Sequence, residues 1–200
     1  AAVSDKILHF TADLVLSFLR WYSCSPAEPL RWGRVKAWLC ILVLICYAFT
    51  DEYIQGMTGR SCDIRDFYAD LWGIAAAFGI FSLLRFWHSL LLVTLTAIFL
   101  ITNAAESNMS EKLPCFNTLF HFLAYGFLAL LWGHYQRIFL KYSSNNLLRL
   151  LSTALAPSAY LVIIKLFSVI FDRGYACSDI HLALAGIGAA VMLLLVTRRY

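Results

Sequence analysis

The sequence predicts an all-α, polytopic helical membrane protein, and three observations carry that prediction. Of the 200 residues, 61% are hydrophobic and only 14% are charged, against about a quarter charged in an ordinary soluble domain. The apolar residues come in long blocks rather than as one stripe per helix, the pattern of helices that are apolar all round. The short alternating segments of a transmembrane β-barrel are missing from the sequence.

About seven spans follow in order. The first, about 7–22, is entered through Asp5 and Lys6 and closed by Arg20. The second, about 36–50, begins after Arg31 and Arg34 and runs into Asp51-Glu52. Both are short against the roughly 20 residues that cross hydrocarbon, so little tilt or a thinned bilayer is expected. The third, about 67–86, opens after Asp66, and the fourth, about 88–104, starts almost where it ends. Arg85, Trp87 and His88 are therefore expected in a tight interfacial turn. The fifth, sixth and seventh cover about 116–136, 148–170 and 179–197.

Basic residues set the orientation. Arg20, Arg31, Arg34, Lys36, Arg85, Arg137, Lys141, Arg149, Arg198 and Arg199 fall on one side, with Glu28 the only acid there. The positive-inside rule makes that side cytoplasmic. The expected location is a bacterial cytoplasmic (inner) membrane, with the N-terminus outside and the C-terminus inside. The net charge of +4 is then mostly a cytoplasmic collar, and no nucleic-acid partner is expected. The first span lacks a basic leader and a small-residue exit, so no cleavable signal peptide is expected. Cys40 and Cys46 read as small apolar residues within a span. Cys62, Cys115 and Cys177 fall in outer loops, where one pair among the three has the setting for a disulfide.

The chain reads as one membrane domain built from two degenerate parallel repeats. Ile7-Leu-His9-Phe10-Thr-Ala12 aligns with Leu119-Phe-His121-Phe122-Leu-Ala124, and Asp66 with Gly73 aligns with Asp179 and Gly186. The two offsets differ by one residue, so one duplication explains both. Four spans separate the matched helices, which makes the halves parallel rather than inverted. Repeat one covers about 5–86, a connector helix about 88–104, and repeat two about 116–197. Gly73, Gly79, Gly186 and Gly188 give helices 3 and 7 small surfaces for close packing.

Asp5-Lys6-x-x-His9-Phe10, Asp51-Glu52-x-x-Gln55, Gly59-Arg60-Ser61 and Asp66 with Gly73 together resemble the VanZ-like family, membrane proteins associated with teicoplanin resistance. Its members show Asp-Lys-x-x-His-Phe, Asp-Glu-x-x-Gln, and Gly-Arg-Ser followed by Asp-x-x-x-Asn-x-x-Gly. The match spans about residues 5–80. Asp70 stands where the family usually has Asn, and Asp13 where it usually has Tyr. The helix that usually leads into the first motif is not in this sequence. The resemblance implies the fold and a cell-envelope setting.

Several residues are candidates for chemistry. If helix 2 continues through the acids, Asp51 and Gln55 share a face, with Glu52 beside them. Arg60 has the planar fork that suits a phosphate or carboxylate, or a salt bridge to Asp51 or Glu52. Asp66 reads first as a helix N-cap. Asp5 and His9 lie one turn apart. A His beside carboxylates suits acid–base work, a metal site with Asp51 or Glu52, or a structural hydrogen bond. No His-x-x-x-His or Cys-pair spacing supports a metal, so no metal and no cofactor is expected. Asp13 and Asp70 are carboxylates at hydrocarbon depth, where a lone charge is costly. They are expected to form a buried polar network with His9 or Lys6, with His121 as the second repeat's counterpart of His9.

Three function classes follow. The leading expectation is an extracytoplasmic polar site that binds or modulates an envelope lipid or lipid-linked precursor. The expected ligand-binding residues are Asp5, Lys6, His9, Asp51, Glu52, Gln55, Arg60, Asp66 and Asp70. The alternative is a membrane enzyme on a lipid-linked substrate, with His9, Asp51 and Glu52 as catalytic candidates. The third is a small transporter or flippase using Asp13 and Asp70 as a proton site.

Overall fold

The computed structural model of the chain describes residues 2–25, 30–58, 63–105, 114–140, 146–170 and 177–197. Among the described residues the secondary structure is entirely helical. The elements are α1 (Ala2–Cys24), α2 (Val35–Met57), α3 (Ile64–Leu83), α4 (Phe86–Leu100), α5 (Pro114–Phe139), α6 (Asn146–Ile170) and α7 (Cys177–Val196). A π-helical turn, Ile101–Ala105, continues α4.

Four stretches are long and apolar enough to cross a membrane: Val35–Met57, Phe86–Asn103, Leu147–Ile170 and Cys177–Val196. The other three expected spans, on α1, α3 and α5, do not reach that standard. In α1 and α3 the reason is visible in the residues: Asp5, Lys6, Asp13 and Arg20 on one, Arg65, Asp66 and Asp70 on the other. Large apolar side chains such as Leu42, Val43 and Phe49 on α2, and Val162, Ile163 and Leu166 on α6, are exposed. That inside-out arrangement suits a hydrocarbon solvent, in which exposed apolar surface carries no penalty.

The chain divides into two units, residues 1–105 and 106–200. In the first unit α1 packs chiefly on α3, with α2 against α3 and α4 against α1. The helix read from sequence as a separate connector, α4, thus belongs to this unit. Its Ser89 and Val93 are buried, and Tyr22 of α1 donates a 3.2 Å hydrogen bond to Ser89. The expected turn before it is shorter than the sequence suggested. Only Leu84 and Arg85 break the helix, while Trp87 and His88 lie inside α4.

The α1–α3 pair has an apolar half and a polar half. Leu14, Phe18, Trp21 and Tyr22 recur at three- and four-residue spacing and face Ile74, Ala77, Phe78 and Phe81 at the same spacing. One stripe on each helix is thereby buried against the other. Aromatic edges lock the join: Tyr22 meets Phe81 at 5.3 Å and Trp21 meets Phe78 at 6.0 Å between ring centres, within the range of favourable edge contacts. The helices come closest at Gly73. A Cβ there would lie 2.4 Å from the Phe10 carbonyl oxygen. This contact puts residues one turn to either side, His9 and Asp13 on α1 and Asp70 on α3, within side-chain reach of one another.

In the second unit α5 packs chiefly on α7, and α6 on both. Gly186 lies against the Phe122 carbonyl, where a Cβ would be 2.1 Å away. Gly79 and Gly188, also read from sequence as packing positions, have nothing within 4 Å of a built Cβ. They fall on the wrong side of their helices for close packing.

Candidate functional site in the first unit

The polar half of the α1–α3 pair, with the end of α2, gathers most of the residues singled out from sequence. Helix α2 runs through the acids to Met57, because the weak helix former Gly56 comes only in its last turn. Asp51 and Gln55 therefore share a face, and Gln55 Nε2 donates to Asp51 Oδ2 at 2.7 Å. Glu52 points the other way and is buried, 5% exposed.

Asp66 is not the N-cap of α3. That place belongs to Asp63, whose side chain accepts from the Arg65 backbone N–H at 2.9 Å. Asp63-x-x-Asp66 spaces two acids as a cap and a third helical residue are spaced, a signal present in the sequence. Freed from capping, Asp66 accepts from Lys6 at 2.7 Å, and Asp63 accepts from the same ammonium at 3.1 Å. Lys6 thus ties α1 to the first turn of α3. The Asp66 hydrogen bond, with Asp63 adding to it against some desolvation, holds the Lys6 amine above its ordinary value. The Arg65 backbone N–H, then Lys6, holds the Asp63 carboxyl below its ordinary value.

One turn deeper, His9 Nδ1 lies 3.0 Å from Asp70 Oδ1. Asp13, also buried, packs its Cβ against Gly73, one turn from Asp70 on α3. His9, Asp13 and Asp70 therefore meet in one polar cluster at the helix crossing. Glu52 joins it from α2: ligand atoms of His9, Glu52 and Asp70 lie within 4.8 Å of one another. A second overlapping group comprises Asp5, His9 and Asp66. Sequence spacing shows Asp5 and His9 one turn apart but could not reveal either whole group, because each also needs residues from other helices.

A cavity of about 530 Å³ opens beside the cluster between α1 and α2. Asp5, His9, Asp13 and Asp51 line its polar end, and Leu8, Val15, Leu16, Leu19 and Tyr47 line the rest. Chemically it is an amphiphile's cavity, acid-rich at one end and apolar below. Among the described residues near the polar end, acids outnumber cations, and the Lys6 ammonium already serves Asp63 and Asp66.

The remaining candidates fall elsewhere. Arg60 and Cys62 lie outside the described residues, as does the side chain of Cys115. Cys177 carries a free thiol, which takes it out of the expected disulfide. His121 belongs to the second unit and is buried there, with Nε2 3.9 Å from Asp179 Oδ2. Asn117 Nδ2 donates to the other oxygen of Asp179 at 3.2 Å.

Comparison with known proteins bears on this same stretch. Residues 3–87 match the model of the VanZ/LLP1 family, which takes in α1, α2 and α3 and stops as α4 begins. No curated protein and no solved structure matches the chain.

Proposed function

We propose that the first unit, whose residues 3–87 match the VanZ/LLP1 family, belongs to a VanZ-like membrane protein and binds the polar head group of an envelope lipid or lipid-linked precursor at the extracytoplasmic face. The observation that carries this reading is the two-ended cavity. Below Asp13 its lining runs along α1 to Leu19, about 9 Å at 1.5 Å per residue. That is about a third of a hydrocarbon core roughly 30 Å thick. The upper part of an acyl tail therefore fits beside Val15, Leu16 and Leu19, with its head at Asp5, His9, Asp13 and Asp51. Below Asp13 the lining carries no charge, which favours binding over passage of a polar group across the membrane. In this reading the chain crosses the membrane seven times, with α1 entering from outside. Altered teicoplanin susceptibility is the expected phenotype.

Filling the tail end without touching the polar end tests the proposal. Leu16→Trp is expected to lose lipid that co-purifies with the wild-type protein, read by native mass spectrometry. Leu42→Trp, on an exposed face of α2, should keep it. The same lipid complement in both variants would refute the reading.

A second reading is supported by His9, which lines the open cavity together with Asp13 and Asp51. That is the convergence an enzyme working by acid–base chemistry needs. Lipid profiling of cells with wild-type protein or His9→Gln separates the two. Turnover predicts a lipid species that changes with the wild type and not with His9→Gln, and binding alone predicts no such species.

We also propose that the second unit is a weakened copy of the first. Gly73 against Phe10 and Gly186 against Phe122 are the same contact at aligned positions. Asp66 and Asp179 both accept from the start of the partner helix, from Lys6 in one unit and from Asn117 in the other.

A further inference from the structure

We propose that His9, Glu52 and Asp70 form a binding site for one divalent cation of the manganese or zinc type. Each comes from a different helix of the first unit, and their ligand atoms lie within 4.8 Å of one another. His9 Nδ1 and Asp70 Oδ1 are 3.0 Å apart. Neighbouring ligands around an octahedral ion with bonds of about 2.1 Å stand about 3.0 Å apart, so this pair already has the spacing of two ligands on one ion.

The independent observation is Glu52. Its side chain is 5% exposed, and neither carboxylate oxygen has a hydrogen-bond partner. The Asp63 backbone N–H lies nearby but closes no hydrogen bond with it. Asp70, 1% exposed, likewise has one oxygen, Oδ2, with no donor. Buried polar atoms in native proteins are nearly always satisfied, and a buried carboxylate without a partner is costly. The Lys6 ammonium is taken by Asp63 and Asp66. A divalent ion satisfies Glu52 and the open oxygen of Asp70 together and offsets their charge. One imidazole with two carboxylates is a mixed donor set, the imidazole suiting zinc and the carboxylates manganese.

The test needs no lipid and so stands apart from the head-group reading. Full-length protein in nanodiscs is stripped with EDTA, then titrated separately with manganese chloride and zinc chloride. Bound metal is measured by elemental analysis and, for manganese, by electron paramagnetic resonance. The expected result is one ion per chain, and affinity at least about 100-fold weaker in Glu52→Gln and Asp70→Asn, since even outer-shell changes cost 10- to 100-fold. Asp63→Asn, outside the ligand set, should bind as the wild type does. Circular dichroism identifies a variant that has lost its helices, in which case the other one decides. Less than half an ion per wild-type chain, or wild-type affinity in a folded Glu52→Gln or Asp70→Asn, overturns the proposal.

Discussion

The close approach at Gly73 gives a prediction whose size can be worked from the structure. Alanine at this position places its methyl carbon 2.4 Å from the Phe10 carbonyl oxygen, 3.1 Å from the Leu14 nitrogen and 3.2 Å from the Asp13 Cβ. The first two are backbone atoms and cannot swing away. A relaxed carbon–oxygen contact begins near 3.3 Å, so α1 and α3 must part by about 1 Å. A gap of that width forfeits roughly a quarter to a half of each dispersion contact it opens. It also stretches the Lys6–Asp66 and His9–Asp70 contacts, now 2.7 and 3.0 Å. Overpacking of this kind destabilises by about 2–3 kcal/mol, or about 4–12 °C in melting temperature for a chain of this size. Gly79→Ala is the matched control, with nothing within 4 Å of its Cβ, and should melt level with the wild type or slightly above it. Thermal unfolding in detergent, followed by circular dichroism, reads both. A wild-type melting temperature in Gly73→Ala, or an equal drop in Gly79→Ala, would refute the packing argument.

Other outcomes follow from the same geometry. Gly186→Ala should destabilise the second unit at least as much, its Cβ falling 2.1 Å from the Phe122 oxygen, whereas Gly188→Ala should not; the same melts compare them. Tyr22→Phe removes the buried hydrogen bond to Ser89 and should cost about 1 kcal/mol, seen as a drop of about 2–4 °C. The Asp63 carboxyl is held below its ordinary 3.8, so its contribution is present above that pH and is lost as pH falls through the lowered folded value. Melting temperatures recorded downward from about pH 5 should therefore fall less steeply in Asp63→Asn, which still caps α3, than in the wild type.

The sequence made some of this legible and hid the rest for physical reasons. The all-helical class is visible because long apolar blocks leave few other structures open in a bilayer. The pairing of Asp51 with Gln55 is visible because it depends only on the helix continuing. Asp63 was missed as the cap because Asp66 has the same chemistry three residues on, and only backbone geometry separates the two. Gly73 and Gly79 look alike in sequence. Their difference depends on where α3 crosses α1, which side-chain periodicity on a largely apolar helix does not mark. The meeting of His9, Glu52 and Asp70 is a property of three helices together, with no fixed spacing between them. Asp51 and Glu52 are adjacent in the chain, yet Asp51 pairs with Gln55 while Glu52 is buried without a partner, since neighbours on a helix point about 100° apart.

The proposed duplication implies a gain-of-stability variant that tests its register. In the first unit Lys6 donates to Asp66 at 2.7 Å. The alignment that pairs His9 with His121 puts Thr118 at the place of Lys6. Asp179, the counterpart of Asp66, is buried and receives a hydrogen bond from the uncharged amide of Asn117 at 3.2 Å, with His121 at 3.9 Å. Thr118 is exposed, so a longer side chain has room to leave it. Thr118→Lys should then reach Asp179 as Lys6 reaches Asp66. The ammonium adds an ion pair to a carboxylate that is already hydrogen-bonded, worth about 0.5–1 kcal/mol for a partly exposed pair, which corresponds to a rise of about 1–4 °C. Lysine also carries more side-chain entropy to lose than threonine, so the rise appears only if the ammonium finds Asp179. Asp179→Asn in the same background should abolish the gain. A Thr118→Lys protein that melts at or below the wild-type temperature would show that α5 and α7 do not repeat the register of α1 and α3, and the duplication argument would fail with it.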